Sequence, residues 1–278
     1  MKKGLFIGTL CCVLFSTPVF SWNAVGHRMI AQIAVNHLTP QAYVRFNAYN
    51  HALDRRDRPQ TLVSAAVWLD TFHRRGSRDW DPMHYLDIPF SDDGSPLPAQ
   101  KRMNAVLAIR EARQTLLNQQ ASLHERAIAV RILLHVVGDL HQPLHAVTYV
   151  SKQYPEGDRG GNLSRLPTNP VSTNLHTYWD RGAGFLAHRV RAEAMKKKAA
   201  SLETRWPCVL DKMNTDPMHW AKESHALAVK YAYSPQRDQG VYPTYQRMAV
   251  QIVEERLALA GCRLAAVLND LDSVRSLK

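Results

Sequence analysis

The most informative segment of this chain is residues 133–145, which read Leu-Leu-His-Val-Val-Gly-Asp-Leu-His-Gln-Pro-Leu-His. His135 and Asp139 are four residues apart, so on a helix they lie one turn apart on the same face and can bind one cation. Pro143 ends such a helix and allows His145 to turn back towards that cation. The segment therefore predicts a helix that ends in metal ligands.

A second pair with the same spacing occurs further along the chain. His176 and Asp180 belong to the segment Asn-Leu-His-Thr-Tyr-Trp-Asp, residues 174–180. Taken alone, a His-x-x-x-Asp pair is more often a capping or salt-bridged pair on a helix surface than a metal site. Two such pairs in one chain favour metal binding.

Three further segments supply candidate ligands. His27 lies five residues after Trp22, Asp70 ends an apolar helical stretch, and His84 lies three residues before Asp87 in an irregular segment. An Asp on an apolar face is costly to bury unless it is paired or bound to a cation, which favours the metal interpretation for Asp70. For His84 alone, an ordinary hydrogen-bonded loop histidine is an equal alternative.

Helical periodicity dominates the chain and strand-like alternation is nearly absent. Apolar residues recur at three- and four-residue steps over 28–37, 61–72, 104–118, 125–140, 185–202, 216–231 and 245–271. Two irregular segments, 74–98 and 149–171, are rich in Gly, Pro, Asp, Asn and Ser and suit loops that carry a site. We predict an all-α protein with a single compact helical domain and long active-site loops.

The N-terminus is typical of a secretory signal. Lys2 and Lys3 precede an apolar stretch over residues 5–15, which Pro18 ends. The alternatives are a buried N-terminal helix or a membrane anchor, but the apolar stretch is about half of the ~20 residues that span a bilayer. We predict that residues 1–21 are a cleaved signal peptide and that the domain begins at Trp22. The protein is then secreted or periplasmic, without stable membrane association.

Composition and charge restrict the function classes. The chain has 278 residues, 45% of them hydrophobic, which is typical of one globular domain. The net charge is +11, and removal of the signal leaves 33 basic against 24 acidic side chains, or +9. Such a balance favours polyanionic substrates. Cys208 and Cys262 remain after signal cleavage, and in an oxidising compartment they are best interpreted as one disulfide; two free buried thiols are the alternative.

Six motifs follow one another in a fixed order between residues 22 and 180. They are the N-terminal Trp, the helix end Trp-Leu-Asp, the segment His-Tyr-Leu-Asp, the segment 133–145, Gly-Gly-Asn at 160–162 and the segment 174–180. With these motifs the chain resembles the zinc-dependent single-strand nucleases and 3′-nucleotidases of the S-one/P-one family, which share a fold with bacterial zinc phospholipase C. So many ordered matches are highly specific.

The resemblance implies three zinc ions held only by nitrogen and oxygen atoms, which are ligands that suit zinc. The ligands of the first ion would be Asp70, His84, His135 and Asp139. Those of the second would be the free amine and carbonyl oxygen of Trp22 together with His27, with Asp139 bridging both ions. Those of the third would be His145, His176 and Asp180. Signal removal becomes a chemical requirement, because an amide nitrogen before cleavage has no basic lone pair.

The resemblance also implies a reaction and a set of substrate contacts. Single-stranded DNA or RNA would be hydrolysed to 5′-phosphate products, 3′-nucleotides would lose their phosphate, and Asp70 would orient the attacking water. Tyr85 would stack on a base, Asp87 would accept hydrogen bonds from a base edge, and Asn162 would contact the substrate. We expect the enzyme to be a monomer.

One position departs from the family pattern. An Arg three residues after the first zinc aspartate often holds phosphate in this family, but His73 stands there, followed by Arg74 and Arg75. Which side chain holds the phosphate is therefore left open between His73 and its basic neighbours.

Three other functions compete with a nuclease. A zinc phospholipase C that acts on phospholipid head groups shares the three-zinc core, but its last ligand is typically Glu, so Asp180 and Asn162 favour the nuclease. A helical zinc-binding scaffold without turnover would leave open coordination positions unexplained. A DNA-binding protein without cleavage would leave the histidines unexplained.

Overall fold

Helices form nearly all the regular structure of the residues that the computed structural model describes, which are 22–54, 58–99, 104–186, 190–234 and 241–276. The α-helices of this part of the chain are α1 (Ala24–Asn36), α2 (Pro40–His51), α3 (Leu62–Ala65), α4 (Asp70–Arg74), α5 (Ala105–Leu117), α6 (Leu123–Asp139), α7 (Leu175–Asp180), α8 (Ala192–Arg205), α9 (Pro217–Leu227) and α10 (Pro243–Ser276). Strands β1 (Pro89–Phe90) and β2 (Thr148–Tyr149) pair in parallel. The all-α prediction is confirmed.

Helix α6 forms the centre of the domain. It begins at a capping box, in which the Ser122 side chain accepts from the Glu125 amide and the Glu125 carboxylate accepts from the Ser122 amide. Every residue from Ala129 to Asp139 is buried, because α1, α2, α3, α5 and α10 pack around this helix. A helix that is apolar on all sides belongs in a core. Its C-terminal end, with the predicted ligands, therefore lies inside the protein.

A partly buried network of charged groups joins α9 and α10 to the turn that follows α6. The Glu223 carboxylate accepts hydrogen bonds from Arg263 at 2.6 and 2.9 Å and from Arg256 at 3.0 Å. Arg263 also lies 3.0 Å from Nε2 of His141. The Ser224 hydroxyl donates to the carbonyl oxygen of Leu140, the residue that follows α6. Burial alone would raise the pKa of Glu223, but the two guanidiniums outweigh it and hold the pKa at about 2.

The predicted disulfide is present. Cys208 and Cys262 are bonded, with their Cα atoms 5.4 Å apart, and the bond ties the segment after α8 to α10. Among the described helices, none combines the length and the apolar content that crossing a membrane requires. The predicted signal peptide, residues 1–21, lies outside the described residues, so it stays a prediction.

The prediction of one continuous helix over 61–72 is wrong, because this segment forms two helices, α3 and α4, with a turn between them. The carbonyl oxygen of Ala66, which would accept from the Asp70 amide in a continuous helix, accepts instead from Nδ1 of His135 at 2.7 Å. A contact to a predicted metal ligand has therefore replaced a helical hydrogen bond.

The predicted helix over 185–202 starts only at Ala192. Helix α2 was not predicted, although Thr39 before Pro40 is a typical helix start.

We expect Glu223→Gln to destabilise the protein at neutral pH, because it leaves two buried guanidiniums without a carboxylate. The pKa of Glu223 is lower in the folded protein than the ordinary 4.5, so its contribution is present above pH 4.5 and is lost as the pH falls towards 2. The difference in melting temperature between wild type and variant should shrink over that range in thermal scans. Glu193→Gln, which removes an exposed pair with Lys196, should change little at any pH.

Candidate metal centre

Three imidazoles and two carboxylates meet at the C-terminal end of α6. Oδ2 of Asp139 lies 3.0 Å from Nδ1 of His84 and 3.4 Å from Nε2 of His135. Its other oxygen, Oδ1, lies 3.3 Å from Nε2 of His27, which projects from α1. Oδ1 of Asp70, at the start of α4, lies 3.4 Å from Nε2 of His135. All five side chains are buried.

The close approach of α1 to α6 depends on Gly138. A Cβ atom at this position would lie 3.0 Å from Cδ1 of Ile30 and 3.1 Å from Nδ1 of His27, so a larger residue would displace the ligand. The rings of His27 and His135 stack with their centroids 3.9 Å apart. The indole of Trp22 is buried and donates to the carbonyl oxygen of Gly138 at 3.0 Å. The first residue of the predicted mature chain therefore lies beside the cluster.

A second cluster combines His145, from the short 3-10 segment that Pro143 begins, with His176 and Asp180 of α7. Nε2 of His145 lies 3.8 Å from Oδ1 of Asp180, and Nε2 of His176 lies 3.6 Å from Oδ2. The amide of Gln142 donates to Oδ1 of Asp180 at 2.7 Å. The tight turn after α6 therefore supplies both a ligand and the group that orients another.

The proton positions on three imidazoles follow from their partners. Nδ1 of His135, His145 and His176 each donates to a main-chain carbonyl oxygen 2.7 Å away. The acceptors are the carbonyl oxygens of Ala66, His84 and Gly160, in that order. A carbonyl oxygen only accepts, so each Nδ1 carries a proton and Nε2 is the nitrogen that each ring can offer to a metal in its cluster.

These Nε2 atoms face other nitrogen atoms at short range. Nε2 of His145 lies 3.2 Å from Nε2 of His176, and Nε2 of His135 lies 3.1 Å from Nδ1 of His84. A cation bound between the Nε2 atoms of His145 and His176 would remove the repulsion between their lone pairs, whereas Nδ1 of His84 also lies 3.0 Å from the Asp139 carboxylate and can donate to it. Three groups have donor atoms that all lie within 4.8 Å of one another: His27, His135 and Asp139; Asp70, His84 and His135; and His145, His176 and Asp180. The residues fit metal ions that prefer imidazole and carboxylate ligands, as zinc does.

The charge states of His27 and Asp139 suit metal binding. Burial lowers the pKa of His27 well below its ordinary value, and the adjacent His135 acts in the same direction, so the ring is neutral. Burial alone would raise the pKa of Asp139, but the facing imidazoles, that of His135 first, outweigh it and keep this carboxylate ionised. Burial raises the pKa of Asp180 well above its usual range, although the Gln142 amide opposes this. A cation would keep Asp180 ionised in its buried position.

A pocket of about 260 Å³ lies beside the second cluster. Its lining residues are Arg78, Asp81, Tyr85, Asp87, Leu144, Arg159 and His176. The predicted substrate residues Tyr85 and Asp87 thus share one pocket with a predicted metal ligand. Asn162 is not among the described residues that line it, and its amide donates to the carbonyl oxygen of Arg159 at 2.9 Å. The side chains of His73 and Arg74 lie outside the described part of the chain, so their role stays a prediction.

Sequence reasoning missed several residues of the site. Gln142 lies inside the most informative segment and its contact with Asp180 was not predicted. Arg159 precedes the Gly pair of the Gly-Gly-Asn motif, and this adjacency was the signal that could have identified it. Arg78 and Asp81 carry no motif and become part of the site only through the fold.

Comparison with known proteins identifies the chain. The family model described as S1/P1 Nuclease matches residues 22–273. The chain belongs to the S1/P1 nuclease family. The resemblance that the ordered motifs indicated is therefore confirmed, and the match extends through the C-terminal helices beyond those motifs.

Individual members of the S1/P1 nuclease family match over most of the chain. Nuclease P1 of Penicillium citrinum is 22% identical over 278 aligned residues, which cover 90% of this chain and 97% of that protein. Endonuclease 2 of Arabidopsis thaliana is 27% identical, with 96% and 98% covered. Endonuclease 5 of the same plant is 33% identical over 242 residues, with 77% and 79% covered. These relatives are nucleases by name, and family membership supports a nuclease function.

We expect Asp139→Ala to lose metal from both groups at the end of α6, since Asp139 faces three imidazoles there. His145→Ala should lose metal only from the group that contains His176 and Asp180. Metal content per chain, measured by mass spectrometry after loading with zinc and desalting, checks both expectations. His124→Ala, at an exposed position in the first turn of α6, is the matched control. Wild-type metal content in either cluster variant would contradict the assignment.

Proposed function

We propose that this member of the S1/P1 nuclease family is a secreted phosphodiesterase that depends on three zinc ions. It hydrolyses single-stranded DNA and RNA to 5′-phosphate products and removes the 3′-phosphate of mononucleotides. One observation carries the proposal: buried imidazole nitrogens face one another in three groups, and one group opens onto a pocket with Tyr85 and Asp87 on its walls. Such convergence of metal ligands with a ring and a carboxylate suits the binding of a nucleotide.

The distances support a role for Asp139 in both metal sites at the end of α6. Its two oxygens point to different imidazoles, Oδ2 to His84 and Oδ1 to His27, so the carboxylate could serve both sites. The first zinc would be held by Asp70, His84, His135 and Asp139. The second would be held by His27, Asp139 and the amine and carbonyl oxygen of Trp22. The third would be held by His145, His176 and Asp180.

Asp70 is the residue that orients the attacking water. Its exposed fraction is 7%, whereas that of Asp139 is 0%, so Asp70 is the carboxylate of the first cluster that still reaches solvent. It accepts a hydrogen bond from the water and directs the oxygen lone pair towards phosphorus. When bound, the zinc ions supply positive charge that lowers the pKa of water and stabilises charge on the phosphate and the leaving 3′-oxygen. The phosphate remains on the 5′-oxygen.

Tyr85 and Asp87 explain a preference for single strands. The ring of Tyr85 stacks on a base, and the carboxylate of Asp87 accepts hydrogen bonds from the base edge. Burial, followed by the charges of Asp87 and Asp81, raises the pKa of Tyr85, so its hydroxyl stays protonated at neutral pH. A base can enter the pocket only when it is neither paired nor stacked in a duplex.

Export belongs to the same proposal. Cleavage of the signal before Trp22 creates the amine that the second zinc requires, so the enzyme becomes active only after secretion or transfer to the periplasm. The buried indole of Trp22, bonded to Gly138, anchors this terminus beside the ligands. The mature protein acts as a monomer on nucleic acid and 3′-nucleotides.

The function is tested by assaying the mature, zinc-loaded protein on four substrates: single-stranded DNA, duplex DNA, 3′-AMP and phosphatidylcholine vesicles. We expect rapid release of 5′-phosphate oligonucleotides from the single strand, inorganic phosphate from 3′-AMP, slow cleavage of the duplex and no phosphocholine. Tyr85→Ala should raise KM for the single strand. Release of phosphocholine without cleavage of DNA would replace this proposal with a phospholipase.

A variant with one extra residue before Trp22 tests the terminal amine. We expect it to fold, because the side chain of Trp22 keeps its contacts, and to lose most of its activity, because the nitrogen of Trp22 becomes an amide. Melting temperature and turnover of 3′-AMP are measured on both proteins, with N-terminal sequencing of each. Full activity of the extended protein would contradict the role of the amine.

A further inference from the structure

The loop over residues 157–161 has an unusual backbone. Its sequence is Gly-Asp-Arg-Gly-Gly, and the three glycines have φ angles of 87°, 61° and 85°. Arg159 lies among them with a φ of 59°, in the left-handed region that favours glycine. Only one other non-glycine residue of the described chain, Ala183, has a positive φ. The chain therefore keeps a large side chain where a glycine would fit the backbone better.

The surrounding residues hold this loop in place. The buried Asp158 carboxylate accepts hydrogen bonds from the Tyr149 amide, from the Ser164 hydroxyl and, with both oxygens, from the Tyr233 hydroxyl. The carbonyl oxygen of Gly160 accepts a hydrogen bond from Nδ1 of His176. The loop that fixes a metal ligand thus also fixes the direction of the Arg159 side chain.

Among the described residues that line the pocket, Arg159 carries a guanidinium that no carboxylate pairs. Its side chain lines the pocket, is exposed, and makes no hydrogen bond or ion pair with any described residue. The other arginine of the pocket, Arg78, lies 3.3 Å from the Asp81 carboxylate. The charge of Arg159 reaches Tyr85 across the pocket, where it opposes the effect of the carboxylates on the pKa of that phenol.

The pocket must admit an anion although two carboxylates line it. Asp81 and Asp87 both disfavour a phosphate, and Asp81 already pairs with Arg78. A guanidinium offers two parallel N–H donors that match phosphate oxygens. Arg159 is suited to this task because no protein group competes for its donors within the described residues.

We propose that Arg159 binds a phosphate oxygen of the nucleotide whose base occupies the pocket, and that it thereby determines preference among substrates. This inference rests on the proposed function. It also answers a question left by the sequence, since the position that often carries a phosphate-binding Arg in this family is His73 here. The phosphate is either the scissile 3′-phosphate or the 5′-phosphate of the same nucleotide, and the substrates below distinguish the two.

The decisive variant is Arg159→Gly, because glycine suits the positive φ and removes the guanidinium. We expect the melting temperature to stay within about 2 °C of wild type, because the backbone preference is relieved. For adenosine 3′,5′-bisphosphate, which carries both phosphates, kcat/KM should fall about 10- to 100-fold, mainly through KM, as the loss of a charged hydrogen-bond pair predicts. Arg159→Lys should recover part of the loss. Arg165→Ala, an exposed arginine of the same segment that does not line the pocket, is the matched control.

Two substrates locate the phosphate. If Arg159 contacts the scissile phosphate, Arg159→Gly lowers kcat/KM by the same factor for 3′-AMP and for adenosine 3′,5′-bisphosphate. If Arg159 contacts the 5′-phosphate, the wild type prefers the bisphosphate, and Arg159→Gly removes that preference. Equilibrium binding of 5′-AMP, measured by calorimetry, should weaken in the second case while binding of adenosine does not change.

The outcomes separate this inference from the proposed function. Turnover by the wild type, with unchanged kcat/KM for both substrates in Arg159→Gly, would overturn the role of Arg159 alone. An equal loss in Arg165→Ala, or a large fall in the melting temperature of Arg159→Gly, would show that the effect is not a phosphate contact. A wild type that hydrolyses neither substrate nor single-stranded DNA would overturn the proposed function, and the role of Arg159 with it.

Discussion

Imidazole nitrogens that lie close to one another inside the protein are the constraint on which the structure depends. Main-chain carbonyls accept hydrogen bonds from Nδ1 of His135, His145 and His176, so Nε2 of each ring points inward, 3.1 or 3.2 Å from a nitrogen of the next ring. These nitrogens and the carboxylates beside them could hold metal ions. Binding of metal would then be coupled to folding of the core, as in other proteins whose ligands come from distant segments.

Two local features of the helices allow the ligands to come together. The helix over 61–72 breaks where Ala66 turns its carbonyl towards His135, and Gly138 leaves the space that lets α1 bring its histidine against α6. The network around Glu223 stabilises the turn that follows α6, and this turn leads to His145 of the second cluster. The break at Ala66 and the absence of a side chain at Gly138 thus each help to place a predicted ligand.

One loop contacts both the pocket and the second cluster. In the loop over 157–161, the carbonyl oxygen of Gly160 accepts a hydrogen bond from His176, and Arg159 lines the pocket that His176 also lines. Substrate recognition and leaving-group stabilisation would then depend on one rigid segment. A base bound by Tyr85 and Asp87, as proposed, would bring its phosphate close to the metal ligands of the second cluster.

The sequence by itself determined the helical class, the predicted ligand residues, the family and the cysteine pair, because four-residue spacing, proline positions and ordered motifs are local properties of the chain. It did not determine where the helix over 61–72 breaks, which carbonyl fixes each imidazole, or that Arg159 reaches the pocket. Those depend on groups 16 to 69 residues apart in the chain that only packing brings together. Periodicity reports which face of a helix is apolar, whereas a hydrogen bond between distant segments leaves no periodic trace.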